Sequence, residues 1–128
     1  MVQQITNGIK ISVKTHFEGT RYQNYRLNYL FSYEVEIENQ SNDSVQLVER
    51  NWEIHDSLNQ TEIIEGEGVI GQKPIIAPKQ KHKYNSFCFI KSPIGSMRGF
   101  YNMINFRTTQ NFRVKIPTFQ LTVPAILN

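Results

Sequence analysis

At 128 residues, 39% of them hydrophobic and 20% charged, the chain has the length of one domain and too little charge for a disordered segment. Fourteen basic residues against eleven acidic ones leave a net charge of only +3, with no run of five like charges, so no electrostatic footprint for nucleic acid exists. Cys88 is the single cysteine, which excludes an internal disulfide and any paired-cysteine zinc site.

Residues 1–8 are expected to fray or to pair with a partner. Ile9 to Phe17 reads as the first strand. Residues 18–26 form a polar, aromatic-bearing connection, expected to be mobile, in which Tyr22 and Tyr25 flanked by Arg21 and Arg26 offer a recognition patch. Leu27, Tyr29, Phe31, Tyr33, Val35 and Ile37 then occupy every second position, the period of a half-buried strand. The cluster from Asn39 to Ser44 is rich in side chains that bond their own backbone and predicts a hairpin turn. From Val45 to Asp56 the inward phase changes between Leu47 and Trp52, which predicts a bulge near Glu49 to Asn51.

A turn at Ser57 to Gln60 leads to Glu62–Glu65 and then to a glycine-rich loop. Strands follow at Gln80 to Ile90, Met97 to Phe106 and Phe112 to Val123, separated by Ser92-Pro93-Ile94-Gly95 and by Arg107 to Asn111. Residues 124–128 are treated like the N-terminus. About seven strands at this spacing, with no amphipathic helix, predict an all-β antiparallel sandwich in one domain.

The string Gly66-Glu67-Gly68-Val69-Ile70-Gly71 matches G-x-G-x-x-G, which binds dinucleotides only where it opens a helix. Pro74 and Pro78 exclude that helix, and no acid stands about 20 residues on. Two readings remain open. In one, Gly66, Gly68 and Gly71 permit positive φ in a tight crossover between sheets. In the other, successive backbone N–H groups form an anion nest with Lys73 adding charge, opposed by Glu65 and Glu67.

No catalytic or metal-ligating set emerges elsewhere. Glu34, Glu36 and Glu38 share one strand face at about 6.5–7 Å spacing, too far apart to converge on a cation. His16, His55 and His82 have no ligand spacing, and His55-Asp56-Ser57 cannot form a triad, because neighbours on a strand point to opposite faces. Cys88, among Phe87, Phe89 and Ile90, is expected to be inert. Trp52 reads as core. Arg50, in the same phase as Trp52, reads as a structural cation that pairs with a buried carboxylate or stacks on an aromatic ring. No stretch reaches the roughly 18 apolar residues of a membrane span, and Met1 to Lys10 has no basic start and apolar core, so a cytoplasmic setting without a membrane span is expected.

The glycine loop belongs to a longer pattern. Ile37-Glu38-Asn39, Arg50-x-Trp52-x-Ile54, Gly66-x-Gly68-Val69-x-Gly71-x-x-Pro74, Pro78, Tyr84-x-Ser86, Pro93-x-Gly95-x-Met97-x-Gly99-x-Tyr101-x-Met103 and Ile116-Pro117-x-Phe119-x-Leu121 together resemble the ApaG family over about Ile9 to Pro124. Two positions depart from it: Lys79 stands where the family often has glycine, and Ser92 where it often has threonine. The first bears on the tightness of the turn after Pro78.

The resemblance implies a fibronectin type III-like β-sandwich, no established enzymatic activity, and no cofactor. It also implies an association with cobalt resistance and magnesium efflux, acting through a protein partner or a phosphate-containing one such as diadenosine tetraphosphate. On this reading Gly66, Gly68, Gly71 and Lys73 form the phosphate- or partner-binding loop. An enzyme or sensor for pyrophosphate-containing nucleotides, with Mg²⁺ drawn in by Glu62, Glu65 or Glu67, is the alternative of another class. A sandwich that dimerises through its exposed edges is a third.

Overall fold

Alternating apolar residues bounded by turn clusters build the observed elements directly. The computed structural model describes residues 1–124. Its strands are β1 (Val2–Thr6), β2 (Ile9–Gln23), β3 (Arg26–Asn39), β4 (Val45–Asp56), β5 (Glu62–Glu67), β6 (Ile75–Ile76), β7 (Lys81–Ile90), β8 (Ile94–Asn105) and β9 (Asn111–Thr122). All pair antiparallel, in one sheet of order β1-β2-β3-β7 and a second of order β5-β4-β8-β9. β6 continues β5 along the same edge of β4. The two sheets stack as the predicted sandwich.

The core lies between the sheets. Ile11, Val13, Phe31, Val35 and Ile37 of the first sheet face Leu47, Met103, Val114, Ile116 and Leu121 of the second, all buried. Each such side chain contributes roughly 1.5–3 kcal/mol by leaving water. Trp52 holds the centre as expected, with ring centroids 5.5 Å from Tyr33 across the sandwich, 5.8 Å from Phe119 and 6.3 Å from Tyr101. The hydroxyls of Tyr84 on β7 and Tyr101 on β8 hydrogen-bond to each other between the sheets, so neither phenol is left unpaired in the core.

Several boundaries differ from those read off the sequence. Residues 2–6 are not a frayed terminus: they form β1, joined to β2 by an Asn7-Gly8 turn with φ of 50° and 78°. Asn-Gly between strand-forming residues is the strongest short hairpin signal. The connection at 18–26 is also strand, because β2 and β3 pair out to Gln23 and Arg26 around Asn24-Tyr25 and so make a hairpin arm. The bulge in β4 falls at Val48, one residue before the predicted segment, and it moves the inward phase from Val45 and Leu47 to Arg50, Trp52 and Ile54. Lys79 adopts φ of 68°, the left-handed region that favours glycine, which gives the family departure its physical meaning. Of the C-terminal expectation, residues 125–128 lie outside the described residues.

β9 packs against β1 and β2, covering one side of the sandwich. On the opposite side β5 and β7 are unpaired edges, and a cleft opens between them.

Candidate functional site

The glycine loop is an excursion from the edge of a single sheet, not a crossover between sheets. The chain leaves β4 after β5, turns, and rejoins the same edge as β6. It departs at the bulge, where the Gly68 N–H donates to the Val48 carbonyl at 2.8 Å. Val69 and Gln72 then exchange N–H···O bonds of 2.8 and 2.9 Å across the two-residue turn Ile70-Gly71, whose φ values are 49° and 71°. The backbone donors of Gly68, Val69 and Gln72 are therefore committed within the chain.

The three glycines do different things. Gly66 is extended within β5, and a Cβ there would lie 2.8–2.9 Å from the Arg50 guanidinium, so its missing side chain lets that group lie flat against the strand. Gly68, at φ 61°, has no room: a Cβ would sit 2.1 Å from the Gln72 carbonyl oxygen. Gly71 meets nothing within 4 Å and is held to glycine by φ alone. Lys73 turns its ammonium to Glu67 at 3.2 Å.

Arg50 is the residue the structure promotes. The phase shift at Val48 turns it inward, the Glu67 and Gly68 carbonyls accept hydrogen bonds from its Nη1 at 2.9 and 3.0 Å, and it is half-buried. Among the described residues it has no carboxylate partner, so the buried carboxylate expected for it is not there. It lines the cleft of about 490 Å³ together with Tyr33, Trp52, Tyr84, Ser86 and Ile70. Burial pushes the phenols of Tyr33, Tyr84 and Tyr101 up, with the Arg50 charge acting against it, so all three stay protonated at neutral pH. The cleft thus offers one cation, Arg50, and one carboxylate, Glu62, on a wall of aromatic and aliphatic side chains.

Sequence reasoning noted Arg50 but not the cleft, since its lining comes from β3, β4, β5, β7, β8 and the Ile70-Gly71 turn. The available signal was a cation two residues before the core tryptophan, in the same phase.

Cys88 also borders the cleft, 6% exposed, and burial first, then the Glu62 and Asp56 charges, push its thiol up to about 12. Iodoacetamide at pH 8 is expected to leave Cys88 of the folded protein unmodified while fully alkylating the urea-unfolded chain, as mass spectrometry would show. Equal rates in the two states would mean an exposed thiolate.

The remaining candidates are occupied by local structure. Glu34, Glu36 and Glu38 stand opposite Lys14, Ser12 and Lys10 on β2, and opposite Asn85, Lys83 and Lys81 on β7; Lys81 and Lys83 reach Glu36 at 3.2 and 3.5 Å. They form a charge ladder on the sheet's outer face. No group of three His, Cys, Asp or Glu side chains among the described residues is placed to hold a metal. His55 pairs with Glu53 at 3.0 Å, and its Nδ1 lies 3.0 Å from Thr61 Oγ1. Tyr22 and Tyr25 are exposed at the end of the hairpin arm, away from the cleft lining.

Asp56 faces away from His55 and accepts hydrogen bonds from the buried Ser92 hydroxyl and, at 2.6 Å, from the Lys91 N–H, fixing the turn into β8. Burial raises its pKa, but these hydrogen bonds outweigh that and leave it below the usual carboxylate range. A depressed folded pKa stabilises the fold above the unfolded value of about 3.9 and loses that contribution as pH falls through the folded pKa. Asp56→Asn is therefore expected to cost about 1–2 kcal/mol at pH 7, allowing for the solvent that reaches the group, with the gap to wild type closing in acid. Urea titrations at pH 7 and pH 3 check both parts.

These features can be set beside known proteins. The family model for the ApaG domain matches residues 19–105, a span from the β2–β3 arm to the end of β8 that contains Arg50, the glycine loop and the whole cleft lining. Two proteins named Protein ApaG are similar over essentially the whole chain. One, from Anaeromyxobacter dehalogenans strain 2CP-1, is 41% identical over 128 residues, all of both chains; the other, from Shewanella halifaxensis, is 34% identical over 127 residues, 99% of this chain and all of that one. An X-ray structure of a structural-genomics target superposes with a TM-score of 0.90 at 32% identity, covering 95% of this chain and 92% of the other. Among the described residues no helix is long and apolar enough to cross a membrane. A matched family model, full-length relatives and a shared sandwich agree, and the chain belongs to the ApaG domain family.

Proposed function

We propose that the chain is a non-catalytic binding module whose cleft between β5 and β7 holds an anionic group of its partner, and that through this partner it serves divalent-cation homeostasis in the cytoplasm. The binding part of this reading rests on Arg50, a half-buried guanidinium fixed by two carbonyls, lacking a carboxylate among the described residues and facing an open cleft. Keeping such a charge unpaired is costly unless something completes it. The role in cobalt resistance and magnesium efflux is what family membership implies. At neutral pH the phenols and the thiol of the lining are protonated and Glu62 is its one carboxylate, a set without the histidine, activated thiolate or paired carboxylates of acid–base or nucleophilic catalysis, which favours binding over turnover.

Phe87, an exposed ring at the border of the same cleft, favours a second reading, in which the anion is the pyrophosphate of a nucleotide and the ring receives its base. One titration tests both. The ¹⁵N-labelled protein is titrated with inorganic tripolyphosphate and with diadenosine tetraphosphate, each with and without Mg²⁺, following the Arg50 Nε–H and the amides of Gly66, Gly68 and Gly71. Saturable shifts at Arg50 and its loop, lost in Arg50→Gln, are expected for both anions if charge alone is read, and for the nucleotide far more strongly if the second reading holds. No shifts up to millimolar ligand would overturn anion binding.

A further inference from the structure

We infer that the natural occupant of the cleft is an extended segment of a partner protein that adds as a strand to the free edge of β7 and places an Asp or Glu side chain on Arg50. This deepens the reading just given and rests on it. Three observations carry it. First, β7 ends the first sheet, so one row of its N–H and C=O groups is unpaired over a strand of ten residues. Such an edge is a template for a further strand unless charge or proline protects it.

Second, protection is confined to one half. The outward positions near the start of β7 are Lys81 and Lys83, while Phe87 and Phe89 take those positions near its end at 64% and 48% exposure. That unprotected half, Ser86 to Phe89, is the half that borders the cleft. Third, the charges are complementary to an acid and select the edge. Arg50 is the cation of the cleft lining, whereas β5 on the far wall carries Glu62, Glu65 and Glu67 along its short length. An acidic strand is repelled from β5 and drawn toward β7. Backbone pairing supplies sequence-independent affinity, and the alternate side chains facing inward, one acidic and the others apolar, supply selectivity.

A nine-residue random peptide library displayed on phage is selected against the full chain, and the consensus peptide is then synthesised. Enrichment of an Asp or Glu with β-branched or aromatic residues two positions away on either side is expected, with the peptide slowing hydrogen exchange of β7 amides. Arg50→Gln should weaken capture by about tenfold or more, because a charged pair loses one partner. Phe89→Lys, at an exposed position that leaves the core intact, should abolish capture while tripolyphosphate still shifts Arg50. No enrichment, a consensus without an acid, or protection mapping to β5 or to the β2–β3 arm would overturn the inference. If tripolyphosphate binds but no peptide is selected, the peptide inference fails and the anion-binding cleft stands. If neither binds, both fall.

Discussion

Gly68→Ala is expected to destabilise the protein by about 2–4 kcal/mol, whereas Gly71→Asn, three residues on in the same loop, should cost less than about 1 kcal/mol. The difference is one of space. A Cβ at Gly68 would stand 2.1 Å from the Gln72 carbonyl oxygen, which is itself bonded to the Val69 N–H, so relief requires the turn to open and the Gly68–Val48 hydrogen bond to break. At Gly71 nothing lies within 4 Å, and asparagine tolerates the left-handed φ of 71° better than other side chains. Urea denaturation midpoints measure the two costs. Equal losses would show that the loop depends on glycine for its backbone angle alone. The comparison also bears on function: Gly71→Asn keeps the loop's geometry, so ligand contacts at the turn can be tested with it, whereas Gly68→Ala alters the loop itself.

Asn39→Ala should be among the most damaging substitutions in the chain, at about 3–5 kcal/mol, although the residue bears on no ligand. Its side chain is fully buried. Nδ2 donates to the Asp43 and Ile76 carbonyls at 2.8 and 2.9 Å, and Oδ1 accepts from the Ser41 N–H and hydroxyl at 2.9 and 2.6 Å. Its own carbonyl accepts the Lys79 N–H at 2.7 Å. The side-chain amide thereby ties the end of β3 to the 41–44 turn and β6, while the main-chain carbonyl, which truncation leaves in place, holds the turn after Pro78. Truncation strands the side chain's partners in a buried to part-buried site, each at about 1–3 kcal/mol, with partial relief from relaxation and from solvent. Asn39→Asp should do no better, because a carboxylate cannot donate to two carbonyls. Thermal and urea unfolding against an exposed control, Asn85→Ala, settle the size; a loss under about 1 kcal/mol would mean that water replaces the amide. Because β6 closes the glycine excursion, this buried amide anchors the loop's return to β4.

Both effects arise where the sequence spoke least plainly. Asn39 read as the first residue of a turn and as part of a family motif, and nothing in a linear string shows that residues 41, 43 and 76 meet around it. Gly68 was legible as a loop glycine, but its neighbour at Gln72 and the carbonyl at Val48 come from a turn and a bulge in register. By sequence Lys73 is the loop's cation, whereas the structure pairs it with Glu67 and leaves Arg50 as the cation of the cleft lining.

What the sequence determined by itself was set by local physics. Alternation with period two in 27–37 required one face of that strand to be buried, turn clusters at 39–44, 57–60 and 92–95 broke the chain where strands end, and Pro74 and Pro78 forbade a helix after the glycines. These signals need only neighbouring residues, and so the sandwich was readable. The cleft was decided by tertiary structure alone. A bulge of one residue at Val48 turns Arg50 inward, sheet order leaves β5 and β7 as facing edges, and side chains up to 64 positions apart, from Tyr33 to Met97, line one space. Which edges stay unpaired depends on how every strand is placed at once, and no stretch of sequence carries that information.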